Sequence, residues 1–259
     1  MHQDVTQLRE FYYTSRLGRA AQKAMRDQVR ARWPSVKGLS VAGFGFAAPL
    51  LRPCLEDARR VIALMPSQQG VMHWPAEAQN HSVLVSETNW PLASDSLDRL
   101  LVLHGLETSE RPAALMEEAS RVLKIGARIL LIVPNRAGLW ARAEHTPFAL
   151  GRPYSLRQID ALLQEHGFGV TETASALFFP PRDRKSWLSW SMMFERLGQR
   201  LPRTHAGGVL LVEATRIPDA PKPSGLAVRE NKPLRILDPV RPTVARPAWR
   251  DQDGTPRSQ

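Results

Sequence analysis

The chain has 259 residues, 43% of them hydrophobic, and 35 Lys and Arg outnumber 25 Asp and Glu for a formal charge of +10. That suffices for one large domain or two small ones around a sizeable core, while the mean hydropathy of -0.29 and the lack of any run of about 18 apolar residues exclude a membrane-spanning helix. Cys54 is the single cysteine, which excludes an intrachain disulfide and a thiolate metal cluster; the polar start Met1-His2-Gln3-Asp4 carries no apolar signal core, so a reducing cytoplasm is the expected setting.

From Val5 to Trp33 the apolar residues Leu8, Phe11, Tyr12, Leu17, Ala20, Ala21, Ala24 and Val29 recur at three- and four-residue steps, which predicts a helix that Pro34 ends. The polar side of this helix is rich in Lys and Arg, either a solvated face or a surface for anionic ligands. Lys37-Gly38 leads into a short apolar strand, Leu39 to Ala42, which breaks at Gly43-Phe44-Gly45 before a helix over Pro49–Ala58. Arg60 to Leu64 reads as a second buried strand closed by Met65-Pro66, and Ser82 to Val85 as a third. Leu97 to Leu103 is a fourth strand, Pro112 to Leu123 an amphipathic helix stopped by Gly126, and Arg128 to Val133 a fifth strand. Ser155 is placed as the N-cap of a helix reaching His166, and Val170 to Leu177 follows as a sixth strand. A helix over Lys185–Leu201 and a last strand, Gly208 to Thr215, complete the series.

Strands separated by helix-length segments imply parallel βαβ units with right-handed crossovers. The expected fold is therefore a three-layer, doubly wound, mostly parallel sheet of seven strands, with an N-terminal helical segment (residues 1–35) ahead of a domain over residues 36–215. In such a sheet ligands sit beyond the carboxyl ends of the strands, where the strand order reverses. The loops that matter are those after Ala42, Leu64, Val85, Leu103 and Val133. After Arg216 eight prolines and nine Lys and Arg against five Asp and Glu fall in 44 residues without periodicity. Residues 216–259 therefore read as a basic, largely disordered tail.

Several segments carry a resemblance. Asn89-Trp90-Pro91-Leu92 to Glu107, and Glu117-Glu118 through Arg121-Val122-Leu123 and Gly126 to Leu131, resemble the turn, fourth strand, helix and fifth strand of class I S-adenosylmethionine-dependent methyltransferases. Pro134 to Trp140 and Thr146 to Ser155 resemble a bacterial type 11 methyltransferase-like subgroup. The resemblance covers about residues 36 to 215 and implies a Rossmann-like domain with S-adenosylmethionine as cofactor. It places Gly43, Phe44 and Gly45 at the methionine moiety, Met65 at the ribose, Ser86 and Glu87 at the adenine, and His104 where cofactor and acceptor meet. Four positions depart from the family's pattern, the first being Ala47 in place of the third glycine. Val41 stands for the leading carboxylate, Met65 for the acid that binds both ribose hydroxyls, and Ser86 for the aspartate after the third strand. At roughly 1.5–3 kcal/mol for each charge-assisted hydrogen bond, the loss of the leading carboxylate and of the ribose-binding acid weakens cofactor binding by about two to four powers of ten.

Two functions follow from this reading. The first is methyl transfer, chiefly by proximity and alignment because the sulfonium already activates the methyl group, with His104 or Tyr154 near the acceptor. The second is a catalytically inactive binding module that meets nucleic acid, another anionic partner or a protein through its basic surface and tail. A nicotinamide-dependent dehydrogenase is disfavoured, because a third glycine and an acid after the second strand are missing. The loop holding Arg136, Trp140, Arg142, His145, Phe148, Arg152 and Tyr154 is a lid or a cover for the sheet edge. The Trp- and Met-rich segment Arg184–Leu197 either packs on the sheet or presents a partner- or membrane-surface helix. No metal is expected, since the seven histidines are dispersed without zincin spacing.

Overall fold

The structure is a computed structural model and describes residues 4–183, 185–200 and 207–218. The proline-rich tail from residue 219 onward lies outside the described residues. The expected single N-terminal helix is divided into α1 (Val5–Arg9), a π-helical turn (Glu10–Thr14) and α2 (Arg16–Arg32). Ser15 makes the division: its backbone is extended, and its hydroxyl accepts from the Gly18 N–H at 2.9 Å while donating to the Phe11 carbonyl at 2.8 Å. The Ser15 N–H reaches back five residues to the Glu10 carbonyl at 3.1 Å, which widens the preceding turn. Apolar spacing runs through this junction unbroken, so periodicity alone cannot reveal it.

The strands are β1 (Ser40–Gly45), β2 (Arg60–Pro66), β3 (Ser82–Val85), β4 (Leu97–Leu103), β5 (Leu123–Pro134), β6 (Phe168–Ala176) and β7 (Val209–Arg216). They form one sheet in the order β3-β2-β1-β4-β5-β7-β6. β1 to β5 pair in parallel, while β7 runs antiparallel to both β5 and β6. The expected helix over Pro49–Ala58 is shorter: α3 (Ala48–Leu51) passes into a 3-10 turn at Arg52–Leu55, where Pro53 removes a helical donor. The helix before the fifth strand, α4 (Pro112–Val122), ends one residue early, and β5 begins at Leu123 rather than Arg128, carrying the positive-φ Gly126 inside it. α5 (Leu156–Glu165) starts at a full capping box between Ser155 and Gln158. The segment Lys185–Arg200 forms helix α6, with Trp190, Met193 and Leu197 exposed. Among the described residues no helix is long and apolar enough to cross a membrane.

Alternation along the strands divides the core in two. Val41, Met65, Leu103, Leu130 and Ile132 face the α1, α2 and α3 side, together with Leu8, Tyr12 and Met25. Ala42, Phe44, Leu64, Leu100 and Val102 face the other side, with Leu115 and Met116 of α4 and Ile159 and Leu163 of α5. Every position of β1 is buried, as expected of a central strand covered on both faces. The strand order reverses between β1 and β4, so a crevice between their carboxyl ends is where a ligand belongs.

Candidate functional site

β1 runs through Gly45, so Gly43 lies within the strand and the turn into α3 begins only at Phe46. Gly43 is required by packing, since a Cβ there would lie 2.6 Å from both the Ala47 and Leu51 side chains. Gly45 is required by conformation and approach: its φ is 79°, and a Cβ would strike the Leu103 carbonyl oxygen. The Phe46 N–H donates to that same carbonyl at 2.7 Å, locking the tips of β1 and β4 together.

His104 follows β4 with a left-handed φ of 52° and is fully buried. A non-glycine residue in that region carries strain that the surroundings must hold. Here they do so from four directions. The Glu107 carboxylate lies 3.0 Å from Nδ1, and the Tyr12 hydroxyl 2.7 Å from Nε2. The His104 carbonyl accepts from the Gln69 amide and, at 3.2 Å, from the Thr108 hydroxyl. Burial, and then the Glu107 charge, raises the Tyr12 phenol well above its ordinary value, so its hydroxyl keeps its proton at the contact with Nε2. Nδ1–H then donates to Glu107, whose second oxygen is buried without a partner. Tyr12, His104 and Glu107 form one buried chain of hydrogen bonds at the switch point.

Aromatic side chains close around this chain. Tyr12 stacks on Phe46 at 5.7 Å between ring centroids, and His104 tilts against Phe148 at 4.9 Å. Phe148 meets Phe11 and Trp140 edge-on. Tyr12, Phe46, His104 and Phe148 are each 1% exposed or less. The loop after β2 seals the remaining side, with the Val5 N–H donating to the Gln69 carbonyl at 2.7 Å.

Of the residues singled out from the sequence, Gly43, Gly45, Met65 and His104 gather at the tips of β1, β2 and β4. Met65 is buried, its Sδ accepting from the Met72 N–H at 3.5 Å. Phe44 points to the opposite face, stacked 5.0 Å from Trp90. Glu87 is turned toward the start of α4, where it accepts from the Ser109 hydroxyl at 3.0 Å and the Glu110 N–H at 3.3 Å. Ser86 is exposed and bridges to Asn89. Tyr154 is half-buried with the core on the Phe44 side; burial raises its phenol, with Glu107 adding to the rise. The loop after β5 holds two short 3-10 turns, Trp140–Arg142 and Pro147–Ala149, and is pinned by hydrogen bonds from the Trp140 indole to the Phe179 carbonyl and between His145 Nε2 and the Pro181 carbonyl. Sequence reasoning gave no place in the site to Tyr12, read as helix core, to Phe148, read as part of the loop after the fifth strand, or to Phe46, Gln69 and Glu107, which together complete it. Glu107 was the most legible of them, lying three residues beyond His104 after a strand tip.

The tips of β1, β2 and β4 are therefore closed over by buried side chains. In this arrangement the residues at the tips of β1, β2 and β4 do not fit S-adenosylmethionine. Among the described residues no cluster of His, Cys, Asp and Glu is arranged to hold a metal.

Residues 40–131 match the family model of the methyltransferase domain. No curated protein matches the sequence. A solved structure from Thermotoga maritima, described as a methyltransferase dependent on S-adenosylmethionine and a possible histamine N-methyltransferase, is 17% identical with a TM-score of 0.58, over 82% of this chain and 95% of that one. A methyltransferase from Haloferax volcanii, solved in complex with the Trm112 activator, is 18% identical with a TM-score of 0.60, over 84% of this chain and 100% of that one. The [4+2]-cyclase SpnF is 15% identical with a TM-score of 0.52, over 77% of this chain and 83% of that one.

Proposed function

We propose that the chain, whose residues 40–131 match the methyltransferase domain and whose sheet has the strand order of that fold, is a class I S-adenosylmethionine-dependent methyltransferase whose cofactor crevice is opened by withdrawal of the N-terminal segment. The observation that carries this is the origin of the blockage. Tyr12 enters the switch point from a short peripheral element, α1 and its π-turn, rather than from a strand or a core helix. Among the described residues its polar hold on the site is one hydrogen bond, to His104. Lifting that segment would leave Gly45, Met65 and His104 lining the space between the strand tips, and would free Nε2 of His104, held in orientation by Glu107, to hold a proton of an acceptor. A protein partner belongs to the same reading, since a neighbour of this fold is assembled with an activator protein.

A second reading, a binding module without catalysis, is favoured by Met65 at the ribose position and by the dense aromatic filling. A cyclase among the neighbours adds that this fold does not by itself imply methyl transfer. Calorimetric titration of the full chain with S-adenosylmethionine separates the two. The wild type is expected to bind only in about the millimolar range, and Tyr12→Ala at least about tenfold more tightly, because the competing occupant has been removed. If neither protein takes up the cofactor at about 10 mM, the methyltransferase reading falls and the binding module stands.

A further inference from the structure

We propose that the outer face of the N-terminal segment carries a binding site for a small organic anion, a phosphate or carboxylate head on a flat apolar body. The site is a cavity of about 420 Å³ separate from the buried chain at the strand tips, lined by Arg9, Tyr13, Arg52, Met72, His73 and Trp74. Its volume lies within the usual range of small-molecule pockets, roughly 300–1,000 Å³. Three elements build it. Arg9 and Tyr13 come from α1 and its π-turn, Arg52 from the 3-10 turn after α3, and Met72 to Trp74 from the loop after β2.

The chemistry of the lining selects the ligand. Two guanidiniums and a histidine face the cavity, and no Asp or Glu lines it. Among the described residues neither Arg9 nor Arg52 is paired with a carboxylate, although six other Lys and Arg are: Lys23, Arg32, Arg121, Lys124, Arg128 and Arg216. Both guanidiniums lie close enough to the Tyr13 phenol to pull its ionisation down against the larger upward push of burial. Both line the one cavity, and the planar fork of a guanidinium suits a phosphate or carboxylate. Trp74 supplies a fixed flat wall. It is 4% exposed, its backbone N–H donates to the Asn80 side-chain oxygen at 3.2 Å, its carbonyl accepts from the His81 backbone N–H at 2.6 Å, and its ring meets His81 edge-on. Met72 adds an adaptable apolar contact. Cations and aromatic residues in one lining call for an anion joined to a ring.

Phenyl phosphate is the probe, titrated into the full chain at low salt, with inorganic phosphate and benzyl alcohol as half-probes. Phenyl phosphate is expected to bind at least about tenfold more tightly than either half-probe, and the double substitution Arg9→Gln, Arg52→Gln to weaken it at least about tenfold. Ala76→Phe, which fills the mouth of the cavity and keeps both charges, is expected to weaken it comparably. Binding equal to that of inorganic phosphate, or binding unchanged in either variant, overturns the site. Unchanged thermal midpoints show that the variants fold, as expected because Arg9, Arg52 and Ala76 are all exposed. The titration requires neither S-adenosylmethionine nor an open crevice, so it stands or fails independently of the methyltransferase reading.

Discussion

At the scale of single residues the switch point is held by backbone geometry that side chains cannot imitate. Gly45 has a φ of 79° and sits against the Leu103 carbonyl, where the Phe46 N–H also bonds. Gly45→Ala must therefore either move β1 away from β4 or accept a strained backbone, and its expected cost is about 3 kcal/mol or more. Urea denaturation followed by far-ultraviolet circular dichroism checks this, and a loss below about 0.5 kcal/mol would refute the close approach. His104 bears the opposite lesson. Its left-handed backbone is not relieved by glycine but held by Tyr12, Glu107, Gln69 and Thr108. Nothing in the sequence marks a histidine as bearing strain, because strain is a property of its neighbours in space.

At the scale of elements the decisive feature is the break between α1 and α2. Ser15 caps α2 through the Gly18 N–H and ties back to Phe11, and Gly18 leaves room where a Cβ would collide with the Phe11 carbonyl. Ser15→Ala is expected to cost about 1 kcal/mol of stability. Gly18→Ala is expected to loosen the π-turn and its Tyr12, speeding proteolytic cleavage within residues 5–14 while the rest of the chain stays protected. Cleavage no faster than in wild type would show that the junction does not hold the segment down. The strands were legible because buried parallel strands are short apolar runs between turns, and β3 and β4 lie where those runs lie. The break in the first helix was not legible, since α1, the π-turn and α2 present Leu8, Tyr12 and Leu17 to the same core cluster. The role of Tyr12 was hidden for the same reason. An apolar-looking residue at helical spacing reads as core, and only the fold reveals that this part of the core is the ligand crevice. The onset of β5 was misplaced because Gly126 suggests a stop, whereas here it occupies an exposed positive-φ position inside the strand.

At the scale of the whole molecule, the two faces of the sheet are secured by different means, aromatic packing around Tyr12 on one and a polar clamp beside Trp90 on the other. Glu118 of α4 binds Arg121 through both carboxylate oxygens, at 2.6 and 2.8 Å, and accepts the Trp90 N–H at 2.6 Å. Arg121 in turn reaches the Leu92 carbonyl at 2.9 Å, so the turn before β4 is fastened to α4 while Trp90 lies over Phe44 of β1. Hydrogen bonding from Arg121 holds the Glu118 carboxyl below its ordinary 4.5, with burial opposing and the Trp90 N–H assisting. A carboxyl whose ionisation is depressed by folding contributes stability that is complete above its unfolded value and disappears as pH falls through the lower folded value. The wild type is accordingly expected to lose stability from about pH 4.5 downward. Glu118→Gln should be less stable at neutral pH, with the difference from wild type narrowing as the solution is acidified. Thermal midpoints of the two proteins measured between about pH 7 and pH 3 test the clamp directly. A constant gap across that range would mean that Glu118 acts through shape and neutral hydrogen bonds, and that its charge does not hold the turn against the sheet.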